Sequence, residues 1–226
     1  MIARAVATES GTNFMAVKGA ELLNTYVGET ERAIREIFAK ARAVSPTVLF
    51  FDEIDAIAAS RSAGSQHTGV HTVTTLLTEM DGLEQAKGVF TLAATNRPEV
   101  LDPALLRPGR LDSMVYVGLP DEAARRTILE KACRKWEVGE SVDFSAIAGL
   151  TNGRSGAEMV SICQRALHSA FQDVIECDQE PSIQQRHFAK ALDEEPYSVT
   201  AEMEESYKEF AASRINRRSE INFLAM

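Results

Sequence analysis

Two carboxylates at the end of an apolar run are the strongest chemical signal in the sequence. Val48–Asp55 reads VLFFDEID, so a short apolar run delivers Asp52 and Glu53 side by side. Such a run makes a strand covered on both faces, and open α/β sheets bind ligands at the carboxyl ends of their strands. An acidic residue there can hold Mg²⁺, directly or through water, and its neighbour can polarise an attacking water. The bland alternative is two solvated carboxylates at a strand end. Thr91–Pro98, TLAATNRP, places Asn96 at the end of a second apolar run. There it can orient a water or a γ-phosphate, or simply form a turn before Arg97-Pro98. Leu105–Asp112, LLRPGRLD, holds Arg107 and Arg110 on a Pro-Gly turn. Planar guanidinium forks suit phosphate oxygens, and equally make surface salt bridges.

Positioning these groups requires alternating elements. Asn13–Val17 reads as a short strand, and Glu29–Arg42 as a helix with Ala33, Ile34, Ile37, Phe38 and Ala41 on one face. Pro46 breaks that helix before the strand Thr47–Asp52. Ser60–Gly69 is a Ser/Gly-rich loop, Val70–Met80 a helix ended by an Asp81-Gly82 turn, and Gly88–Thr95 a second buried strand. Met114–Val117 is predicted as a further short strand. Strands alternating with helices give a parallel α/β sheet. After Leu119-Pro120 the pattern turns helical, with helices predicted at Asp121–Lys135, Ser155–Glu176, Ile183–Leu192 and Ala201–Arg214. The expected division is therefore an α/β core over 1–120 and a small helical domain over 121–226, with Asp193–Pro196 a solvated linker before the last helix.

Composition bounds the function. The 226 residues are 45% hydrophobic and 25% charged, which excludes a mainly disordered chain. A net charge of -9 excludes a broadly basic nucleic-acid footprint, so no direct reading of nucleic acid is expected. No apolar run approaches the roughly 20 residues that span a bilayer. Cys133, Cys163 and Cys177 show no CxxC or Cys/His zinc spacing, which points to a reduced compartment, the cytoplasm or nucleus. Cys163 falls on an apolar helix face and reads as a buried thiol. His67 and His71 lack the Glu of a zinc helix and read as solvated loop histidines. Arg214, Arg217 and Arg218 read as cations capping a terminal helix.

In their order and spacing these signals resemble the AAA branch of the AAA+ ATPases, over nearly the whole chain. The resemblance implies an AAA+ parallel sheet followed by a helical lid, with ATP and Mg²⁺ as cofactors. It places Asp52 on the metal and the nucleotide, Glu53 on the water and Asn96 at the γ-phosphate sensor. Arg107 and Arg110 fall on paired fingers that reach the nucleotide of a neighbouring subunit. TNGRSGAE, Thr151–Glu158, resembles the start of the lid helix, whose Gly156 and Ala157 pack by the adenine and ribose. Arg154 replaces the aromatic usual before Ser-Gly. KGAELLNTYVGETE, Lys18–Glu31, resembles the first pore loop, with Tyr26, Val27 and Gly28 facing the channel of a homo-oligomeric ring, a hexamer. A Tyr on a turn offers apolar area and a polar tip, so it can grip protein substrates without reading their sequence. Ser60–Gly69 falls where a second pore loop lies.

SGTNFMAVKGAELLNTYVGETERAIREIF, LLTEMDGLEQAKGV and LLRPGRLDSMVYVGLPD are most similar to the second ATPase module of tandem type II proteins. Within these they resemble the Drg/Afg, or spermatogenesis-associated, branch, with valosin-containing protein close behind. That branch implies remodelling of ribosome precursors and their protein factors, away from membranes. The competing reading is a non-catalytic assembly fragment, because GxxxxGK[ST] occurs nowhere in these residues. The chain is expected to be a fragment of a longer ATPase and inactive alone. The frame upstream of Met1 should then encode a strand and a Gly-rich loop ending Gly-x-Lys-Thr. Sequencing the full-length transcript checks this, and an in-frame stop directly before Met1 would contradict it.

Overall fold

The computed structural model describes residues 2–23, 28–59, 68–82, 88–177 and 182–224. The chain divides into two units, Met1–Val115 and Tyr116–Met226.

The first unit opens with helix α1 (Ile2–Glu9), then strand β1 (Asn13–Lys18), the short helix α2 (Gly19–Leu22) and helix α3 (Glu29–Ala43). Strand β2 (Thr47–Asp52), helix α4 (Asp55–Ala58), helix α5 (Thr68–Asp81) and strand β3 (Val89–Ala93) follow, then 3-10 turns at Pro98–Val100 and Pro103–Leu106. The sheet is parallel in the order β1-β2-β3. Phe14 lies opposite Val48, Lys18 opposite Asp52, and Thr47 opposite Val89.

Strand β2 is apolar on both faces because both faces are covered. Thr47, Leu49 and Phe51 are buried; Leu49 and Phe51 join Ile34 and Phe38 of α3 in one core, with Phe38 and Phe51 ring centroids 5.8 Å apart. On the other face Phe50 stacks on Phe14 at 6.2 Å, and Arg4 of α1 lies over the Phe14 ring. The apolar face predicted for α3 is the face it buries: Ile34, Phe38 and Ala41 are fully enclosed, and Ala33 and Ile37 pack against the same core.

Two strand expectations need correction. Gly88–Thr95 is an edge strand rather than a fully buried one: β3 pairs only with β2 among the described residues, and Phe90 is 61% exposed. Met114–Val117 forms no strand, and Val115 and Val117 lie exposed. A short β-rich run becomes a strand only through a ladder partner, and none of the described residues pairs with it.

The second unit contains helices α6 (Glu122–Cys133), α7 (Phe144–Leu150), α8 (Gly156–Cys177), α9 (Gln185–Glu194) and α10 (Ala201–Leu224). Leu129, Ile147, Met159, Ile162, Phe188 and their neighbours form its separate core. Asp121 caps α6 by accepting from the Ala124 N–H, and Asp143 caps α7 through Ser145 and Ala146. Helix α7 escaped sequence prediction because its seven residues are too few to show a period. The acidic linker is a second correction of character. Glu195 accepts from Arg165 Nε at 2.6 Å and Ser161 Oγ at 2.9 Å, so the segment is anchored to α8 rather than solvated. His71 lies exposed on α5, not in a loop; His67 lies outside the described residues. Cys163 is buried as expected. Arg214, Arg217 and Arg218 fall within α10, which continues to Leu224. Among the described residues no helix is long and apolar enough to cross a membrane.

Replacing Phe51 by Ala should cost the first unit about 3–5 kcal/mol, the range for emptying a buried aromatic site. Phe90→Ala, on the open edge, should cost under about 0.5 kcal/mol. Denaturant unfolding of the two variants checks the contrast, and equal costs would contradict it.

Candidate functional site

Asp52 ends β2 half-buried, and the next residue leaves the sheet at once. Glu53 has φ 51°, the one positive value at a described non-glycine residue. For an L-residue this left-handed conformation costs roughly 1–2 kcal/mol, so its surroundings must impose it. Three hydrogen bonds do so, two between backbone groups and one to a side chain. The Glu53 N–H donates to Asp52 Oδ1 at 3.1 Å, the Glu53 carbonyl accepts from the Ala56 N–H at 3.0 Å, and the Ile54 N–H donates to the Ala94 carbonyl at 3.1 Å. The chain therefore turns within one residue from a buried strand into α4, leaving Glu53 exposed beside Asp52.

The end of β3 is tied to the same place. The Ala94 N–H donates to the Phe51 carbonyl at 2.8 Å, extending the ladder one residue past β3. Thr95 Oγ1 donates to Asp55 Oδ1 at 2.7 Å and accepts from the Arg97 N–H at 2.9 Å. These bonds fix the turn that carries the exposed Asn96 next to the Asp52–Glu53 turn. Sequence reasoning missed the Asp55–Thr95 link. Its only trace was the second acid of DEID and the Thr beside Asn96.

The two arginines are not equivalent. Their loop closes through the Leu111 N–H to the Leu105 carbonyl at 3.0 Å, with Gly109 at φ 86°. Arg110 grips Asp81 with two bonds, Nε to Oδ1 at 2.6 Å and Nη2 to Oδ2 at 2.7 Å, and its Nη1 donates to the Ala104 carbonyl at 2.7 Å. Arg107 is exposed and makes no ion pair among the described residues. The two arginines therefore differ in this structure: Arg110 bonds within its own chain and anchors the loop to the end of α5, whereas Arg107 extends from the loop with no ion pair among the described residues. Hydrogen bonding from Arg110 holds the Asp81 carboxyl below its ordinary value, against a smaller opposing effect of burial. In the sequence Asp81 was legible only as a turn residue.

Gly28, at φ 88°, caps the start of α3, where its carbonyl accepts from the Arg32 N–H. Tyr26 and Val27 lie outside the described residues, as does most of Ser60–Gly69.

In the second unit Gly156 opens α8 half-buried, and Ala157 is exposed. Ser155 and Glu158 close a reciprocal cap: Glu158 Oε2 accepts from the Ser155 N–H at 2.6 Å and Ser155 Oγ from the Glu158 N–H at 3.3 Å. Glu158 Oε1 also accepts from the Ser198 N–H at 2.7 Å. Burial raises this carboxyl, but the Ser155 and Ser198 donors outweigh it and leave the pKa lowered. Arg154, buried, donates to the Leu192 and Pro196 carbonyls and lies 4.2 Å from the Tyr197 ring centroid. The departure from an aromatic at this position thus becomes a clamp on the segment after α9. A shallow cavity beside Gly156 is walled by Val117, Pro120 and Tyr207.

Residues 1–119 match the family described as "ATPase family associated with various cellular activities (AAA)", and residues 141–189 match the AAA+ lid domain. The chain belongs to the AAA ATPase family. It is 50% identical over 212 residues to the ATPase family gene 2 protein of Saccharomyces cerevisiae, covering 93% of this chain and 27% of that protein. It is 48% identical to the human ATPase family gene 2 protein homolog A, over 93% of this chain and 23% of the relative. The Schizosaccharomyces pombe ATPase family gene 2 protein is 47% identical, over 93% and 26%. The AAA chain therefore spans about a quarter of the length of the curated relatives it matches.

AAA membership implies nucleotide, and typically Mg²⁺. Asp52 suits the metal, since Mg²⁺ keeps several waters and is usually held by one or two carboxylates. These residues contain no GxxxxGK[ST], the sequence form of a backbone cradle for phosphates.

Asp81 tests the anchoring of the loop that carries Arg107 and Arg110. Its folded pKa is depressed, so its contribution is full above the ordinary value of 3.8 and is lost as pH falls through the lower folded value. Asp81→Asn should speed hydrogen exchange at the Leu111 amide at neutral pH. The unaltered chain should show the same loosening only below pH 3.8. Equal protection in the two proteins at neutral pH would contradict the anchoring.

Proposed function

We propose that this chain is the hydrolytic and lid portion of an ATP-hydrolysing AAA module in a ring-forming ATPase that remodels proteins. The observation that carries the reading is the juxtaposition of three groups. Asp52 and Glu53 stand at the carboxyl end of the doubly paired β2, and the turn bearing Asn96 is hydrogen-bonded beside them. Mg²⁺-bound ATP supplies the phosphoanhydride that is split. Asp52 would hold the Mg²⁺, and Glu53 would orient the attacking water and accept its proton. Asn96 steadies the γ-phosphate oxygens. Gly156 and Ala157 border the base and ribose.

Arg107 serves the nucleotide of the adjacent subunit, with Arg110 fixing the loop that presents it. This division makes activity depend on a homo-oligomeric ring, for which a hexamer is the proposal. Tyr26, Val27 and Gly28 are proposed to grip protein substrates in the channel. Ribosome-precursor factors as substrates, and a cytoplasmic or nuclear location, rest on the resemblance of the sequence and its cysteine usage alone. A second reading, a non-catalytic assembly fragment, is favoured by the lack of a phosphate-loop motif in these residues.

One experiment separates the two. This chain alone should neither bind ATP tightly nor hydrolyse it. Joined at its N-terminus to the strand and phosphate loop of the yeast relative, it should do both. In that completed module Glu53→Gln should keep ATP binding and lose hydrolysis by about two orders of magnitude or more, as expected for a lost general base. Near-normal hydrolysis by Glu53→Gln would contradict the assigned carboxylate, and a completed module that binds no ATP would favour the assembly reading.

A further inference from the structure

Glu53 sits in a conformation that its own residue type resists, and Gly19 is pressed against its peptide. Gly19 follows β1, directly after the last register pair, Lys18 with Asp52. It is buried. A Cβ built on Gly19 would lie 2.3 Å from the Glu53 carbonyl oxygen, 3.1 Å from its carbonyl carbon and 3.3 Å from the Ala56 Cβ. The first contact is with backbone, so no rotamer change relieves it. Only displacement of the Glu53 peptide, or of the β1–α2 turn, makes room. That peptide is already fixed from the other side, where its carbonyl accepts the Ala56 N–H and the next amide, of Ile54, donates to Ala94.

Gly19 has an ordinary negative φ, so the backbone there does not call for glycine. Space does. The absent side chain lets the start of α2 close on α4, and the left-handed residue between β2 and α4 is held between them. A displaced Glu53 peptide would carry its Cα and carboxylate with it.

We propose that Gly19 is a positioning residue for Glu53, its bare Cα seating the Glu53 peptide in the left-handed turn that places the carboxylate beside Asp52. The proposal rests on the hydrolytic role given to Glu53 above. It adds a residue outside the acidic pair and outside the turn bearing Asn96, on the segment that leads from β1 toward Tyr26. The contact therefore ties the seat of the carboxylate to that segment.

The test reads the peptide itself as well as the chemistry. In the completed module, without nucleotide, Gly19→Ala should raise hydrogen exchange at the Ala56 amide about tenfold, as for a local opening. The Ala94 amide, which bonds Phe51, should keep its protection. With ATP, kcat should fall by about a hundredfold, the scale of a reacting group misplaced by about 1 Å, while ATP affinity stays within about twofold. Unchanged Ala56 protection with unchanged kcat would overturn the proposal. So would equal loss of protection at Ala56 and Ala94, which marks general loosening. Should Gly19→Ala fail to fold, the Glu53→Gly background decides, because a glycine at that position shifts its peptide freely. Recovery of folding there supports the contact, and continued failure overturns it. Glu53→Gln serves as the control. If it hydrolyses ATP normally, the role of the carboxylate is wrong, whereas the exchange at Ala56 still reports whether Gly19 seats the peptide.

Discussion

Parallel pairing of β2 on both edges is the constraint on which the first unit depends. Thr47–Phe51 lies between β1 and β3 in register, and its side chains are covered on both faces. A strand held this way cannot slip by one residue without moving Phe51 out of the aromatic contact with Phe38. The place where it ends is therefore fixed to the residue. Asp52 is the last position with a β1 partner, and Glu53 is the first free to turn. The candidate site gathers there because the ladder stops there.

The same ladder explains why distant sequence segments meet. Ala94 continues the β2–β3 bonds past β3, and Ile54 returns a bond to Ala94, so the segment before Asn96 is stitched to the turn after Asp52. Further out the ties pass to side chains: Thr95 to Asp55, and Arg110 to Asp81. The Arg110–Asp81 pair is half in solvent, so its worth lies in geometry more than in energy. A planar fork on two carboxylate oxygens fixes the direction of a loop that would otherwise be held only by its own backbone. Arg107 can then extend from a defined base.

Much of this was legible in the sequence, for identifiable reasons. TVLFFD announced β2 to the residue because a run that apolar has few other uses at that length. The 3.6-residue stripe of Glu29–Arg42 announced α3 and the face it buries. What stayed hidden was whatever depends on a partner. Met114–Val117 has strand-like residues but no ladder. Phe90 sits in an apolar run yet on an open edge. Arg107 and Arg110 look alike in LLRPGRLD and differ only because Asp81, far back in the chain, claims one of them. Gly19 is one glycine among 13, and its role emerges only when the Glu53 carbonyl is placed against it. Function beyond the AAA assignment is less legible still, because substrates are met by exposed turns whose residues carry no packing signal.

The central claim is that nucleotide is split at the carboxyl ends of β2 and β3. A cryo-electron microscopy structure of the completed module, with Mg²⁺ and a non-hydrolysable ATP analogue, tests it most directly. The account predicts the metal within one water of Asp52, with Glu53 and Asn96 facing the terminal phosphate and Arg107 reaching toward it from the next subunit. A terminal phosphate bound away from the Asp52–Glu53 turn, or facing it with Asn96 turned outward, would contradict the account.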